Sequence, residues 1–238
     1  MNRRRARRAA ACCATLLGGI APAFGQSSGG ETSSGQPSDC PDRGFSYVRS
    51  EEDPAAWRDR ACDRDAFDRL RYIPLGGETV LSVGGELRAR YELYTAFSFG
   101  DAPEDDDGGF LARGYAFGDL RVGERFRVFG HLRASEGWDR EARDLILDDA
   151  GFDVQEAFVE FGRLGTLSAR IGRQELSFPL RPPSRLLSAR NGPNVRRTWD
   201  AARVIGQAGD WRGDLFYAYE VEPRRGDFDD ATNEDRSL

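Results

Sequence analysis

Residues 79–94, TVLSVGGELRARYELY, set the pattern of this chain. Leu81, Val83, Gly85, Leu87, Ala89, Tyr91 and Leu93 occupy alternate positions, and Ser82, Gly84, Glu86, Arg88, Arg90 and Glu92 fill the gaps. A strand repeats every two residues, so this stretch predicts one apolar face and one densely charged face. Strands of soluble sandwiches are usually shorter, about five or six residues. A tilted strand crosses a bilayer in roughly 9–11 residues, and this alternation is long enough to do so.

The same alternation returns downstream. Phe110, Ala112, Gly114, Ala116, Gly118, Leu120 and Val122 share a face, opposed by Arg113, Tyr115, Phe117, Asp119 and Arg121. After the tight turn at Gly123-Glu124, Phe126, Val128, Gly130, Leu132 and Ala134 oppose Arg127, Phe129, His131 and Arg133, which predicts a hairpin. Further strands are expected at Val154 to Phe161, Leu167 to Phe178, Trp199 to Gln207 and Trp211 to Val221. In the third of these the parity of Arg203 stays open. In the last, Trp211, Gly213, Leu215, Tyr217, Tyr219 and Val221 alternate with Arg212, Asp214, Phe216, Ala218 and Glu220.

Short turns at Gly123-Glu124, Arg163-Leu164-Gly165 and Ala208-Gly209-Asp210 contrast with long polar loops at 98–109 and 136–151. That asymmetry, with Tyr91, Phe110, Phe161, Trp211 and Tyr219 near strand ends as aromatic girdles, is the layout of an outer-membrane barrel. The expected fold is all-β: part of an antiparallel transmembrane β-barrel, with about seven or eight strands, behind a signal peptide and a short leader.

Composition agrees with this reading. Mean hydropathy is −0.60, as expected when only alternate residues face lipid. The 28 glycines and 15 phenylalanines suit a β-rich chain. All 34 basic residues are arginine, against 40 acidic ones, for a net charge of −6. Every cation is therefore a planar, permanently charged fork suited to carboxylates, sulfates and phosphates.

Residues 1–25 read as a signal peptide, with Arg3, Arg4, Arg5, Arg7 and Arg8, an apolar core from Ala9 to Ile20, and small residues at Ala23 and Gly25. Residues 26–77 read as a flexible Ser/Gly-rich linker and a periplasmic leader, and 78–238 as the barrel portion. Within the leader, Asp53-Pro54 opens a short helix expected to run to Ala61 and to bury one side of Trp57. Cys40 and Cys62 remain after signal removal. In an oxidising periplasm they either form a disulfide or stay reduced.

Catalytic chemistry finds little support. His131 is the one histidine, and no spacing singles out an acid and a base among the carboxylates. The acidic run from Asp101 to Asp107 lacks the ordered ligands of a calcium loop. No zinc spacing, phosphate-cradling loop or nucleic-acid patch is present, so no metal and no cofactor is expected.

Taken in order, FDRLRYIPLGG (Phe67 to Gly77), LSVGGELRARYE, RVGERFRVFGHL, QEAFVEF, IGRQELSF (Ile171 to Phe178), RNGPNVRRTWDAAR (Arg190 to Arg203) and VEPRRGDFDD (Val221 to Asp230) resemble the alginate-export family of outer-membrane proteins. The resemblance covers roughly residues 45–238. It implies a monomeric barrel, delivered by the barrel-assembly machinery into outer-membrane lipid, that passes an anionic polysaccharide or small anions and has no enzymatic role. Carried over by strand and face, the pore role falls on Arg88, Arg90, Arg113, Arg121, Arg127, Arg133 and Arg170, with Glu86, Glu92, Asp119, Glu156 and Glu160 as interleaved acids. Residues 233–238 read as a polar loop, so the resemblance also implies the N-terminal portion of a longer barrel.

The same residues would serve a general uptake porin for small acidic solutes. A secreted soluble β-protein that binds acidic sugars is the competing class; its apolar face would need a second sheet. Cell fractionation separates the two classes. The barrel is expected in carbonate-washed outer membranes, and recovery from periplasm or medium would identify the soluble form.

Overall fold

The computed structural model describes residues 45–46, 48–58, 65–95, 107–139, 146–164, 166–178 and 187–238. The signal peptide, the Ser/Gly linker, Cys40, Cys62 and the acidic run at 101–106 lie outside them.

Among the described residues, nine strands form one antiparallel sheet in strict chain order. They are β1 (Ile73–Gly76), β2 (Thr79–Tyr94), β3 (Asp107–Val122), β4 (Phe126–Trp138), β5 (Gly151–Leu164), β6 (Leu167–Gln174), β7 (Trp199–Ala208), β8 (Trp211–Glu222) and β9 (Ala231–Ser237). This is the up-and-down order of a membrane barrel, here a partial wall that stays open between β1 and β9. Among the described residues, helix is limited to α1 (Ala66–Leu70) and two 3₁₀ turns. Asp65 caps α1 by accepting from the Phe67 and Asp68 amides, both at 2.8 Å.

Nine strands stand against an expected seven or eight, and the two with no counterpart among the seven named stretches are the edges. β1 arises within the stretch assigned to the leader, and β9 within the stretch assigned to a polar loop. Neither carries an apolar alternation: β1 contains Pro74, and β9 reads ATNEDRS. Both form because a long neighbour offers them a backbone ladder, with Ile73 opposite Leu81 and Val221 opposite Thr232.

Burial runs opposite to that of a soluble sheet. On the apolar face Leu87 is 92% exposed, whereas Arg113 and Arg203 on the charged face are 2% exposed. The parity of β7 is thereby settled: Arg203 points to the same side as Arg170, which sits directly across from it. The girdle aromatics lie on or near the outer surface, where Phe110 stacks near Trp138 at 5.6 Å and Phe126 near Phe161 at 5.8 Å.

One register break shapes the inner face. His131 pairs with Glu156 and Leu132 with Val154, so Gln155 has no partner on β4 and forms a bulge. Asp153, Gln155 and Glu156 all become buried as a result, which strict alternation would forbid.

Two segments fill the inner side. At the short-turn end lies the leader from Val48 to Trp57, and at the long-loop end lies the segment from Leu187 to Thr198. The helix expected over 54–61 is a 3₁₀ turn that ends at Trp57, with the Asp53 carboxylate accepting from the Ala55 amide at 3.0 Å. Trp57 is buried outright rather than on one side, with the Arg71 guanidinium 4.2 Å above its ring.

The inverted burial has a consequence at the midpoint of β4. Leu132→Arg is expected to cost about 2–4 kcal/mol of folding free energy in lipid vesicles, the penalty for a lipid-facing cation at mid-depth. On a solvated sheet the same change would stay within about 0.5 kcal/mol. Heat-modifiable gel migration across a denaturant series reads the difference.

Candidate functional site

The sequence-derived pore residues separate into two clusters along the inner face. Asp119, Arg121, Arg127, Glu160 and Arg170 gather at the short-turn end. Glu86, Arg88 and Arg113 lie toward the long-loop end. Arg90 and Glu92 pair with each other at 2.7 Å on β2, and Arg133 pairs with Asp230 at 2.9 Å. Glu156 sits between the clusters.

The antiparallel register sets arginine directly opposite arginine three times: Arg88 with Arg113, Arg121 with Arg127, and Arg170 with Arg203. Like charges in cross-strand pairs repel, so each pair needs carboxylates between the guanidiniums. In the short-turn cluster Asp119 lies 2.7 Å from Arg127 and 3.1 Å from Arg121. Glu160 lies 2.7 Å from Arg170, and Asp214 lies 2.7 Å from Arg203 and 3.1 Å from Arg212. Arg170 also stands 4.2 Å over the ring of Phe158, which continues an inner stack through Phe129 (5.2 Å) to Phe117 (5.9 Å).

The leader enters this cluster. Glu51 places one carboxylate oxygen 3.3 Å from Arg170 and the other 3.4 Å from Arg212, with Arg203 at 4.0 Å. Arg127 donates to the Ser50 carbonyl at 2.8 Å and Arg121 to the Glu52 carbonyl at 2.6 Å. Burial by itself would raise the Glu51 pKa. The four guanidiniums of Arg170, Arg212, Arg203 and Arg127 together outweigh it and hold this carboxyl below the usual range. Its contribution is therefore full above the ordinary carboxylate pKa and fades only as pH falls through the lowered one.

At the other end, the segment 191–194 is tied to the wall. Arg88 donates to the carbonyls of Asn191 at 2.7 Å and Pro193 at 2.8 Å, and Arg113 donates to Glu86 and to the Asn191 side chain. The Asn194 amide donates to the carbonyls of Ala112, Glu136 and Asp148 at 2.9–3.2 Å.

Behind it, donor atoms of His131, Glu156 and Glu175 lie within 4.8 Å of one another and are buried. Protein donors already engage the two carboxylates. Glu156 accepts from Ser50 and the Glu175 amide, both at 3.0 Å, and Glu175 pairs with Arg196 at 2.9 Å. The Arg196 guanidinium thus lies directly against this cluster.

A family model described as Alginate export matches residues 79–238. The chain belongs to the alginate export family. No curated protein and no solved structure matches it. Membership makes this an outer-membrane protein of a transport family, and the match begins at the first residue of β2 and runs through β9. The inner face just described therefore belongs to the family region, while the leader that enters it precedes the match.

Sequence reasoning missed several members of these clusters. Arg203 was left without a parity. Arg212 and Asp214 were on the charged side of β8 but carried no role, although their Arg-x-Asp spacing puts both on one face. Asn194, Glu175 and Arg196 belong to an irregular segment with no periodicity to read. Glu51 carried one signal, the acidic run Glu51-Glu52-Asp53 in a chain whose barrel face is rich in arginine.

Asn194→Ala is expected to destabilise the fold by about 1–3 kcal/mol, because buried carbonyls lose their donor. Trypsin should then cleave faster after Arg196 and Arg197. An unchanged cleavage rate would show that this segment is held by other contacts.

Proposed function

We propose that this alginate export protein forms an outer-membrane conduit for an acidic polysaccharide, carried by the arginine-rich inner face. The observation behind this reading is the opposition of Arg88 to Arg113, Arg121 to Arg127 and Arg170 to Arg203. Such pairs weaken a sheet, and a wall built only for stability would alternate signs across strands instead. A path for a polyanion benefits from them, because closely spaced guanidiniums replace part of the water that each carboxylate loses on entry.

The interleaved acids have a complementary role. Asp119, Glu160 and Asp214 keep the guanidiniums oriented and lower the net field. A polymer with repeated charges must leave each site as readily as it enters, and an unneutralised arginine ladder would trap it. Arg88, Arg90, Arg113, Arg121, Arg127, Arg133 and Arg170 remain the proposed contacts, with Glu86, Glu92 and Glu156 as further counter-ions, and Arg203 and Arg212 join them. Small acidic solutes would need the arginines alone. The inner stack of Phe117, Phe129 and Phe158 favours a ligand with sugar rings, whose C–H faces lie flat on aromatic rings. Passage of this kind needs no covalent step and no cofactor.

Replacing Arg170 and Arg203 together by Gln is expected to lower the anion-to-cation permeability ratio severalfold in planar-bilayer recordings of the full chain. The same variant should bind a hexauronate more weakly. An unchanged ratio with unchanged binding would remove the inner arginines from the conduit.

A further inference from the structure

The short-turn cluster is not neutral without the leader. Five guanidiniums, those of Arg121, Arg127, Arg170, Arg203 and Arg212, share three wall carboxylates, Asp119, Glu160 and Asp214. The leader supplies the missing two: Glu51 for Arg170, Arg203 and Arg212, and Asp53 for Arg121 at 3.3 Å. Glu52 is turned away from the wall cations and pairs instead with Arg49 at 2.9 Å and Arg71 at 3.6 Å. The acidic run thus presents alternate carboxylates to the arginines, separated by backbone carbonyls that also accept from Arg121 and Arg127.

We infer that the leader segment Ser50–Asp53 is a built-in anionic ligand: it occupies a carboxylate subsite formed by Arg127, Arg170, Arg203 and Arg212, and the uronate groups of the transported polymer displace it. This rests on the reading of the inner arginines as anion contacts and adds to it the place where the polymer first engages and what holds that place shut.

The packing fits a displaceable ligand better than a fixed brace. Val48 and Trp57 anchor the two ends of the segment by burial. Between them Glu51 and Asp53 pair with wall arginines, the Ser50 and Glu52 carbonyls accept from Arg127 and Arg121, and the Ser50 hydroxyl donates to Glu156 at 3.0 Å. A cavity of about 210 Å³ lies between the segment and the wall, bordered by Glu52, Trp57, Arg71, Ser82 and Phe117. Charge-assisted contacts of this kind exchange for an incoming carboxylate with little change in their number, whereas a close-packed apolar plug would have to expose its core. The arginines that the leader engages also lie over the buried rings of Phe129 and Phe158, Arg127 at 5.3 Å from the first and Arg170 at 4.2 Å from the second.

Two measurements test this on the full chain, with a hexauronate as probe and a neutral hexaglucan as control. In the wild-type protein, the hexauronate should speed tryptic cleavage after Arg49 and Arg58 severalfold, and the hexaglucan should not. Cleavage that ignores the hexauronate overturns the inference. Glu51→Gln should tighten hexauronate binding about tenfold, as for a site freed from a ligand that fills it nine-tenths of the time. Unchanged affinity in a variant that keeps its heat-modifiable migration also overturns it. If Glu51→Gln fails to fold, the wild-type cleavage measurement decides alone. Failure here is distinct from failure of the conduit. In the first case Arg170→Gln with Arg203→Gln still weakens hexauronate binding while the leader stays unresponsive. In the second, those arginine substitutions leave binding unchanged.

Discussion

Everything in this structure depends on which face of the sheet meets the solvent. Leucine, valine and tyrosine stand outward and arginine stands inward, at 92% exposure for Leu87 against 2% for Arg113. In water that arrangement loses the hydrophobic driving force and desolvates charge as well. In a bilayer the outward residues are at home and the inner face is screened from lipid by its own backbone. Once the surroundings are lipid, the long strands and the girdle aromatics follow from the same constraint. So does the concentration of polar contacts inside, which a single apolar cluster of Leu176, Leu187, Trp199, Ala201 and Ala218 adjoins among the described residues.

The inner face is therefore held by electrostatics, and its details decide the function. A guanidinium facing another across a ladder needs a carboxylate within a few ångströms. Asp119, Glu160 and Asp214 each bridge two arginines. Sharing of this kind keeps the arginines rigid yet leaves each only partly neutralised, which is the state in which it still attracts a further anion.

The strand pattern was legible because period-two alternation reports the two environments directly, and β2 through β8 emerged near their observed positions. The edges were not legible. β1 and β9 exist by pairing with a neighbour and need no amphipathic face of their own. The face assignments of Arg88, Arg113, Arg127 and Arg170 follow from parity, whereas Gln155 and Asp153 reach the interior through a bulge that no alternation announces. Glu51, Asn194 and Glu175 were further out of reach, since they act through tertiary contacts made by irregular backbone. Their residue types are compatible with any solvated loop.

That irregular backbone occupies both ends of the inner face, in two chemically different ways. Toward the long loops, Arg88 meets the carbonyls of Asn191 and Pro193, neutral partners on a segment that Asn194 anchors to three wall carbonyls, while Arg113 meets the Asn191 side chain and also the Glu86 carboxylate. Toward the short turns, Arg170, Arg203 and Arg212 meet the carboxylate of Glu51 on a segment that precedes the family region. A neutral partner satisfies a guanidinium's hydrogen bonds but leaves its charge, so Arg88 keeps its field while the first end is closed. An anionic partner cancels the charge, so under the proposed exchange the second end attracts a polyanion only as the leader leaves. The two ends then differ in order of action: one presents a standing potential, and the other becomes attractive through exchange of one carboxylate for another.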